Sequence, residues 1–242
     1  MTTVFVGPTL PAAEVRAILP SAQVRGPVAV GDMAKLACAR KPPARVVLID
    51  GYFERMAAVW HKEILFALER GIQVWGCASM GAIRAAELGA FGMIGQGSVY
   101  ADFATGKLEA DDEVAVAHLP AAQGYRAVSD ALVNLRYGIA LATGLSQPTR
   151  RKLVALAQAR FYRERTWAQL AADARAAKLP EPEVAALLRW VARRKPDLKA
   201  ADARTMLTYV AKRPLDLARV VPPVPRTWAF QRLLDELGLV LP

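Results

Sequence analysis

Cysteine and histidine are scarce in this sequence, and no long apolar segment occurs. The 242 residues include two cysteines, Cys38 and Cys77, and two histidines, His61 and His118. None of these four residues has the spacing of a zinc site, so no metal is expected. No apolar run approaches the roughly 18 residues of a membrane span, and the N-terminus lacks the regions of a signal peptide. We therefore expect a cytoplasmic protein without a membrane segment, metal or cofactor.

Charge is distributed unevenly along the chain. Residues 1–140 contain 13 basic and 13 acidic side chains, whereas residues 141–242 contain 19 and 9, which accounts for the whole net charge of +10. A basic second part is typical either of a solvated helical surface or of a docking surface for an acidic partner. No aromatic platform or recognition-helix pattern accompanies the charge, so nucleic acid is not an expected partner.

The first 90 residues alternate between short apolar runs and helical patterns. Strands are predicted at 4–6, 45–50 and 72–78, with a further one inside 23–30, and helices at 11–19, 32–40, 56–70 and 79–88. Continuous apolar strands between helices indicate a parallel sheet covered on both faces. The predicted fold class is α/β, with an N-terminal parallel-type sheet and flanking helices, followed by an all-helical C-terminal region.

The later part of the chain has a different pattern. Glycines cluster over 89–106, the spacing of apolar residues predicts a long helix over 125–142, and prolines separate several helices over 147–242. We therefore divide the chain into an α/β core, residues 1–145, and a basic helical region, residues 146–242, interpreted as a partner-docking region.

Ser79 lies where a strand pattern changes into a helix pattern. A serine at the start of a helix can cap it by accepting a backbone N–H. It can also act as a nucleophile, with the N–H groups of Met80 and Gly81 and the helix dipole stabilising an oxyanion. The spacing Gly-x-x-Ser-x-Gly is one residue longer than the nucleophile elbow of α/β-hydrolases. The pattern alone leaves both roles open, with capping the commoner one.

A nucleophilic serine needs a base, and the helix predicted at 56–70 offers two. A helical wheel places His61 in the inward arc with Trp60 and Ile64, where it could also be a structural core histidine. Lys62 lies at the edge of that arc, where a solvated lysine is the ordinary outcome. Burial makes a lysine easier to deprotonate, so that it can serve as a base. The residues alone favour His61 over Lys62, and Cys77 is a rival sulfur carrier.

Five separated motifs, in order, resemble the TfuA family over about residues 3–140. They are Val4-Phe5-Val6-Gly7-Pro8, Asp50-Gly51-Tyr52-Phe53, Val59-Trp60-His61-Lys62-Glu63-Ile64, the segment from Ala78 to Leu88, and Asp111-Asp112-Glu113-Val114-Ala115-Val116. The resemblance implies a partner of a YcaO-type ATP-dependent enzyme, which makes thioamides in a peptide or protein substrate. It also implies binding of a ThiS-like sulfur carrier protein, whose C-terminal thiocarboxylate would be hydrolysed to deliver sulfide.

The resemblance also implies a Ser–Lys pair and so reverses the ranking of the two bases. By motif match, the catalytic residues would be Ser79 and Lys62. Substrate binding and oxyanion stabilisation would fall to the remaining candidates, namely Met80, Gly81, Gly51, Gly7 and His61. The alternatives are a non-catalytic scaffold or activator of the YcaO-type enzyme, and a stand-alone Ser–Lys hydrolase of small esters or peptides.

Overall fold

A five-stranded parallel sheet organises the N-terminal part of the chain. The computed structural model describes residues 1–52, 54, 56–214 and 223–240. The strands are β1 (Thr2–Phe5), β2 (Ala22–Arg25), β3 (Arg45–Leu48), β4 (Gln73–Gly76) and β5 (Ile94–Gly95). Their order is β2-β1-β3-β4-β5, with every neighbouring pair parallel. The predicted α/β class with a parallel sheet is confirmed.

Eleven α-helices lie in the described part. They are α1 (Ala12–Ile18), α2 (Asp32–Cys38), α3 (His61–Glu69), α4 (Met80–Leu88), α5 (Ser98–Ala104), α6 (Leu132–Leu141), α7 (Gln147–Ala159), α8 (Trp167–Ala176), α9 (Glu181–Arg194), α10 (Leu198–Lys212) and α11 (Trp228–Glu236). The all-helical C-terminal region is thereby also confirmed. The helix predicted over 56–70 begins at His61, however, and the helix predicted over 125–142 begins at Leu132, so both predictions were too long.

Backbone contacts made elsewhere in the fold explain both shorter helices. The carbonyl oxygen of Ala57 accepts the N–H of Val30, and that of Val59 accepts the side chain of Arg84. Further along, the N–H of Val128 donates to the carbonyl oxygen of Ala117, 11 residues away along the chain. These carbonyls and N–H groups take part in long-range pairing, which overrides the local helical pattern.

The chain forms two compact units, and the first consists of Met1–Glu109 together with Asp202–Pro242. Neighbouring residues of β4 show how this unit covers both faces of its sheet, because successive side chains of a strand point to opposite faces. Val74 belongs to the core cluster that contains Phe66 of α3 and Phe230 of α11. The ring of Trp75 instead packs edge to face on Tyr209 of α10.

The second unit, residues 110–201, is helical and has a core of its own. The core is formed by apolar side chains of α6, α7, α8 and α9, among them Leu135, Leu153, Leu170 and Leu187. The predicted division at residue 145 falls inside this unit, between α6 and α7. The division into two units therefore differs from the predicted one, since the last part of the chain returns to the N-terminal unit.

Candidate functional site

The carboxyl edge of the sheet brings together the residues that follow β1, β3 and β4. The crossover direction reverses between β1 and β3, and in open α/β sheets ligands bind at such a switch point. Asp50, which is 1% exposed, joins the two strand ends there. Its Oδ2 accepts the N–H groups of Gly7 (2.8 Å) and Thr9 (3.0 Å), and its Oδ1 accepts the Thr9 hydroxyl (2.6 Å). The N–H of Gly7 is thus already donated within the protein.

A tight turn carries the chain from β4 into α4 through Cys77, Ala78 and Ser79. The N–H of Ser79 donates to the carbonyl oxygen of Cys77 at 2.7 Å, which closes a three-residue γ-turn. Ala78 at its centre has φ +64°, a conformation that non-glycine residues rarely adopt. Ser79 itself has φ −132° and ψ −130°. Strained turns of this kind cluster at functional sites, because surrounding structure must hold them.

Ser79 occupies the N-cap position of α4 without acting as a side-chain cap. Its carbonyl oxygen accepts the N–H groups of Ala82 and Ile83, but its hydroxyl makes no capping hydrogen bond. The residue is 7% exposed. Among the residues that the structure describes, no group is hydrogen-bonded to its Oγ. The capping interpretation therefore does not account for the serine.

Two glycines set the path by which α4 leaves the sheet. A Cβ on Gly81 would overlap the carbonyl oxygen of Leu48, and one on Gly76 would overlap the carbonyl oxygen of Gly81. The N–H of Gly81 donates to the carbonyl oxygen of Ile49 at 3.2 Å. This N–H, predicted as an oxyanion donor, is therefore already used. The N–H of Met80 has no partner within the described ranges.

Gly51 serves close packing beside the same turn. An added Cβ would lie 2.7 Å from Cγ of Met80, so the Met80 side chain rests against the Gly51 backbone. Gly51 also forms a parallel bridge with Val28. The Met80 side chain therefore fills the space beside the Gly51 backbone, and this space is not open to a substrate.

His61 is exposed at the start of α3, contrary to the inward position predicted for it. Its Nε2 lies 2.8 Å from Oε2 of Glu87 on α4, and its side chain is 47% exposed. Arg84 reinforces this junction, since it donates to the carbonyl oxygen of Val59 (3.2 Å) and pairs with Glu87 (2.7 Å). The start of α3 is therefore held against α4, and the two helices lie on the same face of the sheet.

Lys62 is the second residue of α3 and is partly buried. The structure brings its helix and that of Ser79 together, but no hydrogen bond between the two side chains occurs within the described ranges. His61 of α3 contacts α4 at Glu87, and Val59 just before α3 contacts it at Arg84, eight and five residues beyond Ser79. At 1.5 Å per residue, these positions lie about 7–12 Å along the helix from the serine. Contact between Lys62 and Ser79 remains a prediction.

Glu63 is a buried carboxylate that the sequence analysis did not single out. It is fully buried, and its oxygens accept the N–H groups of Trp60 (3.0 Å), Gly31 (2.7 Å) and Ala34 (3.3 Å). It thereby caps its own helix and the N-terminus of α2. Burial raises the pKa of Glu63 to about 7, although its three N–H donors oppose that shift. A capping box is recognised in a sequence by serine or threonine followed three residues later by glutamate or glutamine. Trp60 stands at the first position here, so the sequence pattern did not mark Glu63 as a cap.

Two further side chains at this edge have contrasting environments. Cys77 is fully buried, and desolvation raises the pKa of its thiol well above the usual range, which opposes formation of a reactive thiolate. Gln96 directly follows β5, and its N–H donates to the carbonyl oxygen of Gly76. Its Oε1 is buried without a hydrogen-bond donor in the part of the chain described. Sequence reasoning missed Gln96, because nothing in its spacing distinguishes it.

The acidic run Asp111-Asp112-Glu113 belongs to the second unit and forms a 3₁₀ turn. Glu113 pairs with Arg136 at 2.7 Å, and Asp112 pairs with the buried Arg165 at 2.6 Å. Two of its three carboxylates therefore serve as partners for arginines. No group of three or more potential metal ligands occurs among the described residues.

A parallel sheet covered on both faces defines this as an α/β protein, with Ser79 at a strained strand-to-helix turn. Residues 50–166 match the model of the family described as TfuA-like protein, a span that includes Lys62, Ser79 and the acidic run. This match supports the assignment to the TfuA family that the motifs indicated. A comparison with curated proteins gives no match. None of the helices in the described part has the length and apolar character that a membrane span needs.

Proposed function

We propose that this TfuA-like protein hydrolyses the C-terminal thiocarboxylate of a ThiS-like, ubiquitin-fold sulfur carrier. The sulfide would pass to a YcaO-type ATP-dependent enzyme for thioamide formation in a peptide backbone, and the protein would also help that enzyme hold its substrate. Family membership fits a role in thioamide formation. The observation that carries the hydrolytic step is that the Ser79 hydroxyl does not cap α4. The residue nevertheless stands at the start of that helix, directly after a strained turn.

In the proposed first step, Ser79 Oγ attacks the thiocarboxylate carbon of the carrier's C-terminal glycine. Lys62 in its uncharged form accepts the hydroxyl proton. The N–H of Met80 points from the first turn of α4 and stabilises the oxyanion, together with the positive end of the helix dipole. The C–S bond then breaks, and sulfide leaves as the carrier becomes an ester of Ser79.

In the second step, water attacks the ester carbon and the C–O bond to Ser79 breaks. The carrier leaves with a carboxylate, and the serine hydroxyl regains a proton. The balance is one thiocarboxylate and one water in, and one carboxylate and one sulfide out. No oxidant or reductant is needed.

Lys62 is preferred to His61 as the base because the histidine is held by Glu87 at 2.8 Å. That pair supports a structural role for His61, in fixing the start of α3 on α4. Lys62 has no ion-pair partner within the described residues, so its amine is free to meet a substrate or Ser79. Hydrogen bonds between catalytic groups are often long in an unliganded enzyme and tighten with substrate bound.

The test is the intact mass of a thiocarboxylated carrier protein after incubation with the full-length protein. Conversion of thiocarboxylate to carboxylate is expected with the wild type and is expected to be lost in Ser79→Ala and Lys62→Ala. His61→Gln serves as the matched control on α3 and is expected to retain conversion. Loss of conversion in Cys77→Ser, with Ser79→Ala still active, would overturn the assignment.

The same experiment separates hydrolysis from a scaffold function. A scaffold would bind the carrier without converting it, in the wild type as in both variants. In that case, thioamide formation by the YcaO-type enzyme would be equally supported by wild-type protein and by Ser79→Ala. Turnover of a chromogenic ester without any carrier would instead indicate a stand-alone hydrolase.

A further inference from the structure

A cleft on the helical unit of residues 110–201 is lined by positive and apolar groups. It lies between the loop that joins α6 to α7 and one side of α9, and its volume is about 470 Å³. Its lining residues are Thr143, Gly144, Ala186, Arg189, Trp190 and Arg193. None of them is acidic, so every charge that lines the cleft is positive.

Arg189 and Arg193 are four residues apart, which places them on the same side of α9. Both are exposed, and within the described ranges neither lies within ion-pair distance of a carboxylate. Other arginines of this unit are paired, such as Arg136 with Glu113 and Arg175 with Glu181. The two cleft arginines are therefore available to an external anion.

The other walls of the cleft are held in place by the fold. Gly144 has φ +81°, and a Cβ there would lie 3.4 Å from Cβ of Ala186, so the loop backbone rests close to α9. Trp190 is partly buried and packs against the core of the unit. Its indole therefore forms a fixed apolar part of the cleft wall beside the two arginines. No acceptor for the N–H groups of Thr143 and Gly144 occurs in the described part of the chain.

We propose that this cleft binds a carboxylate-bearing segment of a protein or peptide partner. A guanidinium matches the two oxygens of a carboxylate, and the indole offers contact to an adjoining apolar side chain. The volume suits a few side chains. Nucleic acid requires a basic groove that follows the backbone and several aromatic faces for stacking, whereas this cleft offers one indole. The inference goes beyond the proposed function, because it concerns recognition at residues that take no part in the hydrolysis.

The test is the anisotropy of a fluorescein-labelled oligoglutamate peptide titrated with the full-length protein. An oligoglutamine peptide and a single-stranded oligothymidylate of matched length serve as comparison probes. The variant is Arg189→Gln with Arg193→Gln. Its matched control is Arg151→Gln with Lys152→Gln on α7, which removes two exposed charges from the same unit but none from the cleft.

The proposal expects the wild type to bind oligoglutamate but not oligoglutamine. Binding should weaken by roughly tenfold in the α9 double variant and by less than about threefold in the α7 control, with unchanged thermal unfolding of both. Absence of oligoglutamate binding by the wild type would overturn it, as would an equal loss in the two variants. Tighter binding of oligothymidylate, with the same dependence on both arginines, would assign the cleft to nucleic acid instead.

Discussion

The N–H of Ser79 donates to the carbonyl oxygen of Cys77 at 2.7 Å and holds Ala78, between them, at φ +64°. This bond turns the chain sharply at the end of β4, so that Ser79 stands at the first turn of α4. A serine in ordinary capping geometry would use its hydroxyl on the helix, whereas here the backbone carbonyl alone meets the helical N–H groups. The turn and the uncommitted hydroxyl are separate observations, and each can be tested.

Replacement of Ser79 by alanine should change stability little, because its hydroxyl does not cap α4. We expect a loss of less than about 0.5 kcal/mol in the free energy of unfolding, measured with urea. Thr166→Ala is the comparison, since Thr166 Oγ1 accepts the N–H of Gln169 at 3.0 Å at the start of α8. Loss of a working cap typically costs about 1 kcal/mol. Equal losses in the two variants would show that Ser79 caps its helix in solution.

Replacement of Ala78 by glycine should relieve the strain in the turn. Glycine adopts positive φ without the steric penalty, which is about 1–2 kcal/mol for other residues. After the entropic cost of glycine, we expect the free energy of unfolding to stay constant or to rise by up to about 1 kcal/mol. Ala82→Gly, at a buried site within α4, should instead lower it by about 1 kcal/mol. Similar losses at both positions would contradict a strained Ala78.

Replacement of Gly81 by alanine should push α4 away from β3, because the new Cβ would overlap the Leu48 carbonyl oxygen. Overpacking of this kind typically costs about 1–3 kcal/mol, and we expect the upper part of that range because the obstacle is backbone. The shift would also move Ser79 and Met80, so carrier conversion should fall. Gly89→Ala is the control. It has open space around its Cβ and should be neutral or stabilising by up to about 1 kcal/mol.

Glu63 should make the protein less stable as the pH rises through the range from about 4.5 to about 7. Its pKa in the folded protein is about 7, above the ordinary value of 4.5, because burial disfavours its charged form. The folded state therefore binds more protons than the unfolded state in this range, and stability falls with rising pH. The full effect would be at most about 3 kcal/mol. Urea unfolding at a series of pH values measures it.

Two variants on the same helix give this prediction its controls. Glu63→Gln should remove that fall in stability, although it should cost about 1–2 kcal/mol for the N–H acceptor it loses. Glu69 affects the pH dependence of stability in the opposite direction, since its hydrogen bond with Arg226 lowers its pKa. Its contribution is present at neutral pH and lost as the pH falls, so Glu69→Gln should weaken the decline below about pH 4.5. An unchanged pH profile in Glu63→Gln would refute the assignment.

Sequence periodicity predicted the sheet and its covering helices, since these depend on local alternation of apolar residues. The end of α3 follows a local signal as well, because Gly71 has φ +78° and a glycine in this left-handed conformation commonly ends a helix. The location of Ser79 at a strand-to-helix turn was predicted for the same reason. What the turn does with the serine hydroxyl depends on the strained Ala78, which no local propensity reveals.

Long-range pairing accounts for what the sequence did not predict. His61 was placed inward by its helical wheel, but Glu87 on α4 offers it an exposed partner. Glu63 was overlooked, because a buried glutamate is improbable until Gly31 and Ala34 supply donors from another helix. The amphipathic pattern of α11 likewise predicts a buried face without saying which core receives it. Phe230 in fact packs on Phe66.

The return of the last residues to the first unit has a consequence for biosynthesis. The N-terminal unit uses Arg45 Nη1 to bind the carbonyl oxygen of Val210 at 2.9 Å and uses Phe66 to receive Phe230. Neither contact can form until the ribosome has made almost the whole chain. The helices of residues 110–201 make mainly near-neighbour contacts and are complete much earlier. The strands are therefore translated first, but the helices α10 and α11 that complete the packing around their sheet are translated last.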